Sequence, residues 1–322
     1  MSDRARVLTI VAAAASLAVA GTVSVTLLQS RGQGTTEPGA VTKPQKGHPF
    51  VFLEFGVRDD PQAVALARAA KLLNDGKAQQ AAAIFARYHS LQAEIGLAFA
   101  RWPNGGLDEL KGLVNQHPQS PTAQFHLGMA YYWSGRIADA ARTWQGVASQ
   151  HPDAPEAVEA ENFLYPKFKS GLPLILTPIA EPGGTLAQQL RIVARDARRP
   201  DATAKLRYGL ALWQLWHRVS AERQFEAAAK LAPDDPVAQV AAAVGAFTKR
   251  APVRAFGRLG PLTAKFPHAA VVPFHLALLL TWTAQPAKAL KEFRAAIAEQ
   301  PKSLYAKEAR AIVAALRQHG TS

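Results

Sequence analysis

The sequence predicts an all-α protein, a solenoid of antiparallel helix pairs preceded by one apolar N-terminal helix. Three features point to it. Prolines recur every 34 residues, from Pro118 to Pro152 and from Pro233 through Pro267 to Pro301, and a fixed period of this size marks a repeat architecture. Within each period, apolar residues fall three and four apart on both sides of a short turn, the spacing of two amphipathic helices packed as a hairpin. Ahead of the repeats, residues 7–28 carry no charge.

In chain order, the first element is that uncharged run, VLTIVAAAASLAVAGTVSVTLL, which follows Arg4 and Arg6. At about 1.5 Å per residue it reaches about 33 Å, enough to cross a bilayer core of about 30 Å. The arginines favour a cytoplasmic N-terminus and send the chain from Gln29 onward across the membrane. Residues 1–28 are therefore expected to be a transmembrane anchor, giving a single-pass membrane protein with an extracytoplasmic body. The competing reading is a signal peptide, cleaved after the small-residue site Ala18-Val19-Ala20, which leaves the body secreted. The apolar residues that continue to Leu28 favour the anchor. Residues 29–60 begin with a polar stretch rich in Gly and Pro and are expected to be a flexible linker. The apolar run FVFLEFG at 50–56 has no assignment.

The solenoid is expected over 61–322. Residues 61–88 read as a helix, an Asn74-Asp75-Gly76-Lys77 turn, and a second helix carrying Ala81 and Phe85. A shortened pair follows at 90–101 and 107–116, with Ile95-Gly96 and Phe99 in its first helix. The best-defined repeat, 121–154, contains Leu127-Gly128, Tyr131, Ala140, Trp144 and Pro152, with the turn at Ser134-Gly135-Arg136. These positions recur as Tyr208-Gly209, Leu212, Ala221, Phe225 and Pro233, and again as Leu276-Ala277, Leu280, Ala289, Phe293 and Pro301. A weaker copy, Ala242-Ala243, Ala246, Ala255, Leu259 and Pro267, keeps the spacing.

Gly128 and Ala140 have almost no side chain, so two helix backbones can approach where they cross, with Tyr131 and Trp144 filling the space on either side. Pro152 lacks an N–H and stops the second helix. From Pro152 to Arg199 the spacing is 47 rather than 34. The expectation is one repeat carrying an insertion near 163–182, between helices near 155–163 and 186–197; the alternative is a linker between two solenoid blocks. Residues 304–318 supply the closing helix that such stacks need.

The repeat at 121–154 resembles the tetratricopeptide repeat (TPR) family, whose pattern is W-x-x-L-G-x-x-Y, then A-x-x-x-F, then P. It matches at Leu127, Gly128, Tyr131, Ala140 and Pro152, with Trp144 for phenylalanine and Gln124 for the leading tryptophan. The resemblance implies a TPR-like helical-hairpin solenoid, a right-handed superhelix whose concave surface holds peptides or helices of partner proteins. It would place Phe125, Met129, Tyr132 and Trp133 in a partner-binding groove, followed by Leu210 and Trp213, Phe247, and Phe274, Leu278 and Trp282. Such a groove is apolar and suits a hydrophobic or aromatic peptide. Two other readings stand beside it: the same side chains pack against the next repeat, or the run Leu172-Pro173-Leu174-Ile175-Leu176 fills the groove.

Little in the sequence suggests chemistry. The net charge of +13 favours anionic partners, yet no tract interleaves basic and aromatic residues for nucleic acid, so no nucleic-acid partner is expected. With no cysteine there is no thiolate nucleophile and no cysteine metal site. The motifs G-x-S-x-G, G-x-x-x-x-G-K-[ST] and H-E-x-x-H do not occur. His48, His117 and His151 precede prolines, and the last two are expected at helix ends. Asp59-Asp60 and Asp234-Asp235 are expected to cap helix starts. The sequence thus predicts no enzyme, no cofactor and no metal. It predicts a membrane-tethered extracytoplasmic scaffold for protein–protein interaction; the alternative is a chaperone-like accessory subunit of an envelope assembly or secretion system.

Overall fold

The structure, a computed structural model, describes residues 49–319. The expected anchor at 7–28, and the expected linker up to residue 48, lie outside the described residues. Among the described residues no helix is long and apolar enough to cross a membrane.

These residues form fifteen α-helices. The first seven are α1 (Pro61–Asn74), α2 (Ala78–Phe85), α3 (Leu91–Ala100), α4 (Gly106–Gln116), α5 (Pro121–Trp133), α6 (Ile137–Gln150) and α7 (Pro155–Leu164). The remaining eight are α8 (Leu186–Asp196), α9 (Ala202–Gln214), α10 (Arg218–Leu231), α11 (Pro236–Gly245), α12 (Val253–Lys265), α13 (Val271–Trp282), α14 (Pro286–Glu299) and α15 (Leu304–His319).

Local chemistry sets the helix ends. Asp60, Ser120 and Asp235 each accept a hydrogen bond from a first-turn N–H ahead of a proline, pairing a donor that the helix cannot satisfy itself. Thr185 and Gln188 form a capping box at α8. His117 and His151 take the C-cap positions of α4 and α6. Tight turns within hairpins pass through left-handed backbone at Gly76 and Gly135, and then at Trp216 and Ala284 in the later part of the chain.

Glycine sets the hairpin packing. A Cβ on Gly128 would lie 2.4 Å from Nε1 of Trp144, and one on Gly209 would lie 2.5 Å from Cε1 of Phe225. The notch therefore receives the aromatic ring of the partner helix, a closer fit than a crossing with aromatics on either side. Trp144 is fully buried, and its Nε1–H donates to the Phe125 carbonyl at 3.2 Å.

Successive helices pair from α1 to α7 and again from α8 to α15. The odd-numbered helices also touch in series, α1-α3-α5-α7 and α9-α11-α13-α15. They form an inner layer, against which the even-numbered helices pack. The series breaks between α7 and α9, and the apolar side chains divide into two cores. Of the two readings of 155–197, one repeat with an insertion or a linker between two blocks, this division suits the second. Ala157, Ala160 and Leu164 of α7 belong to the first core, while α8 pairs with α9, so the segment between α7 and α8 links two blocks.

The joint between the blocks combines aromatic and polar contacts: Phe168 packs on both cores, its ring meeting Tyr165 and Phe247 edge-on. The Asp153 carboxylate accepts from the Ser220 N–H at 2.8 Å and from its hydroxyl at 2.6 Å. Buried Glu161 and Arg218 approach to 3.9 Å, and Lys249 Nζ donates to Asn162 Oδ1. Burial pushes Lys249 down to about 8 against the pull of Glu161 and Glu159.

Candidate peptide-binding site

Each block carries a non-helical segment laid across its odd-numbered helices. In the first block it is residues 50–55, from the apolar run that the sequence left unassigned. The Val51 N–H donates to Oδ1 of Asn74 at 2.9 Å, and its C=O accepts from Nδ2 at 3.0 Å. A residue shows both groups to one partner when its backbone is extended. The Phe52 N–H donates to Nε2 of His126 at 3.1 Å. Its ring stacks on Trp216 with centroids 5.6 Å apart and meets Phe125 edge-on at 6.0 Å. Phe50 stacks on Phe163 at 6.0 Å. The expected flexible linker therefore stops short of residue 60, because apolar burial here offsets the entropy of ordering the chain.

In the second block the corresponding segment includes Leu172-Pro173-Leu174-Ile175-Leu176. The Leu176 N–H donates to Nε2 of His275 at 3.0 Å. The Pro173 carbonyl accepts from Nε1–H of Trp213 at 2.8 Å. Ile175 is buried in the second core.

His126 and His275 do the same work. Each Nδ1 faces the carbonyl four residues earlier, Thr122 at 2.7 Å and Val271 at 2.8 Å. Each Nε2 faces a backbone N–H and so must accept, which puts the proton on Nδ1 and leaves the ring neutral. Burial enforces this, pushing both histidines down to about 4. They occupy equivalent places: Phe125-His126-Leu127 and Phe274-His275-Leu276 match, with Trp133 and Trp282 each eight residues after the phenylalanine.

The ten residues that the family resemblance placed in a groove are distributed as follows. Phe125, Met129, Tyr132, Trp213, Phe247, Phe274 and Trp282 are buried, and Trp133, Leu210 and Leu278 are half-buried. Phe125 reaches the first segment through Phe52, and Trp213 reaches the second through Pro173. Tyr132 packs against Trp144 and Phe163, Phe247 against Phe168 and Trp282, and Phe274 against Phe293 and Tyr305. Met129 lies in the first core, and Leu210 and Leu278 pack on the second. Of the residues that bond the held backbones, Trp213 was among those ten; Asn74, His126 and His275 were not, nor was Trp216. The repeated Phe-His-Leu was a legible signal for the two histidines.

Comparison with known proteins gives one family match: the tetratricopeptide repeat model matches residues 122–154. No curated protein matches the chain. Among solved structures, the chain is similar to the TPR2AB-domain:pHSP90 complex of yeast Sti1 at 14% identity, covering 79% of this chain and 97% of that one, with a TM-score of 0.30. It is also similar to YrrB, described as a TPR protein with an unusual peptide-binding site, at 13% identity, 76% and 90% coverage, and a TM-score of 0.29. A tetratricopeptide repeat protein from Parabacteroides merdae matches at 12% identity over 79% and 98% of the two chains, with a TM-score of 0.31.

Proposed function

We propose that this protein is a non-enzymatic scaffold for protein–protein interaction, whose TPR-like helical stack is tethered outside the cytoplasm by residues 7–28. The observation that carries the interaction role is the repeated use of the inner helix layer to hold non-helical polypeptide. In both blocks a neutral histidine accepts a backbone N–H, and apolar side chains of the held segment lie against rings and aliphatic groups. A surface that grips the chain's own segments this way has the chemistry to grip a partner's. Arg4 and Arg6 before the uncharged run support the orientation.

Crosslinking in intact membranes, followed by identification of what is joined to the helical body, tests the role. A reproducible folded partner is expected. A cysteine placed at Ser322 should react with an impermeant reagent before the cytoplasmic membrane is broken, and reaction only afterwards overturns the orientation.

The second reading, a chaperone-like accessory subunit, is favoured by the backbone-directed contacts of Asn74 and His126, which do not depend on the bound sequence. Preferential capture of unfolded chains over folded partners selects it.

A further inference from the structure

The two held segments are not held equally. In the second block Pro173 and Ile175 are buried and the Trp213 indole bond is inside the protein. The first places one side chain, Val51, in its core and is otherwise held nearer the surface: Asn74 is exposed, and Phe50, Phe52, Leu53 and Phe55 are only half-buried. Beside Val51, the first core is built mainly from helix side chains such as Leu66, Phe85, Ile95 and Trp144, so most of its packing stays when the arm leaves.

Trp216 marks the same place. It has φ +61, a left-handed conformation that is strained for a bulky residue, where the corresponding turns of the first block use glycine. Strain of this kind persists where surroundings impose it and gathers at ligand clamps. Here the strained residue presents its ring to Phe52, while Gly171 of the second segment lies against the same indole.

We propose that residues 50–55 are a pseudo-ligand that closes the first groove in cis. The groove's partner in trans is an extended apolar segment of another polypeptide, with aromatic side chains two residues apart, that replaces the arm on Asn74, His126 and Trp216. This rests on the inner helix layer being a peptide-binding surface. The partner's chemistry is copied from the occupant. Asn74 and His126 read backbone alone, whereas Phe163 and the Phe125–Trp216 pair each receive one ring, two residues apart. A tethered occupant competes at high effective concentration, so a free segment binds well only when the arm is weakened.

The test uses the full-length chain and a fluorescent synthetic peptide, PFVFLEFGV, the sequence of residues 49–57. Phe52→Pro deletes the N–H and the ring that the arm offers and leaves the groove untouched. It should bind the peptide at least tenfold more tightly than the unsubstituted chain, as read by anisotropy. Adding His126→Phe should remove that gain, and a peptide with its aromatic residues made adjacent should bind at least tenfold more weakly. If Phe52→Pro fails to fold, Phe52→Ala carries the same comparison with a smaller gain. A folded arm variant that binds no better than the unsubstituted chain overturns the proposal. Dimerisation by exchange of arms, abolished by Phe52→Pro, assigns the groove to a second copy and also overturns it. Peptide binding gained where crosslinking finds no partner overturns the scaffold role and leaves the cis-closed groove standing. A crosslinked partner with no gain in peptide binding does the reverse.

Discussion

The first block fixes its held segment with one valine in the core, an exposed asparagine side chain and half-buried aromatic rings; the second uses a buried indole N–H, a proline carbonyl and an isoleucine inside the core. Both add one neutral histidine at the same place in the repeat. The histidine is thus the shared device, and its surroundings decide how firmly the segment stays. Where the other contacts face solvent, water can replace them on release and the net cost is small. Where they are buried, release uncovers apolar area and strands polar groups.

The separateness of the blocks is the first thing to break. Trp144→Ala and Phe225→Ala empty equivalent places in the two cores, and each should cost about 3–5 kcal/mol. Because the blocks have distinct cores, calorimetry should show the first variant lowering the melting of its own block more than the other's, and the second variant doing the reverse. A single transition that moves equally in both would make the two cores one cooperative unit.

Acid should act on both blocks together. Burial holds His126 and His275 at about 4 in the folded protein, below the ordinary value of about 6.5. The unfolded chain therefore takes up these protons first. Their contribution is complete above about pH 6.5 and is lost as pH falls toward about 4, by up to roughly 3 kcal/mol for each histidine. Protonation also places an N–H against the N–H of Phe52 or Leu176. Chemical denaturation across this pH range should show the loss, and the double variant His126→Phe, His275→Phe should flatten it.

Singly, His126→Phe and His275→Phe each leave a backbone donor unpaired, a cost of about 1–3 kcal/mol. The comparison sharpens in where that cost appears. Hydrogen exchange should quicken at Val51 and Phe52 in the first variant, with little change in global unfolding. The second variant should lower the stability of its block more, because Ile175 is backed there by buried Pro173 and its buried bond to Trp213.

The smallest effect is expected at Asn74→Ala. Asn74 is itself exposed and its two bonds to Val51 are only partly buried, so their loss should cost about 1 kcal/mol. Proteolysis near residues 50–55 should nonetheless accelerate, and an unchanged cleavage rate would mean that the rings alone hold the arm.

The helices, their order and their pairing were legible because they rest on short-range regularities: the proline period, apolar spacing of three and four, a capping residue before a proline, and a small residue with an aromatic sixteen residues later, as in Gly128 and Trp144. The repeated Phe-His-Leu was legible too, although its purpose was not, since a histidine on an apolar face has no ligand until something is laid over it. What only the tertiary structure decided is what lies there. Phe52 and His126 are 74 residues apart, and Leu176 and His275 are 99 apart. Neither held segment has a helical period that would reveal its buried face. A short apolar run without periodicity records that it will be buried, but the surface that covers it is set by how the solenoid brings distant helices together, and by the division of the apolar side chains into two cores beyond α7.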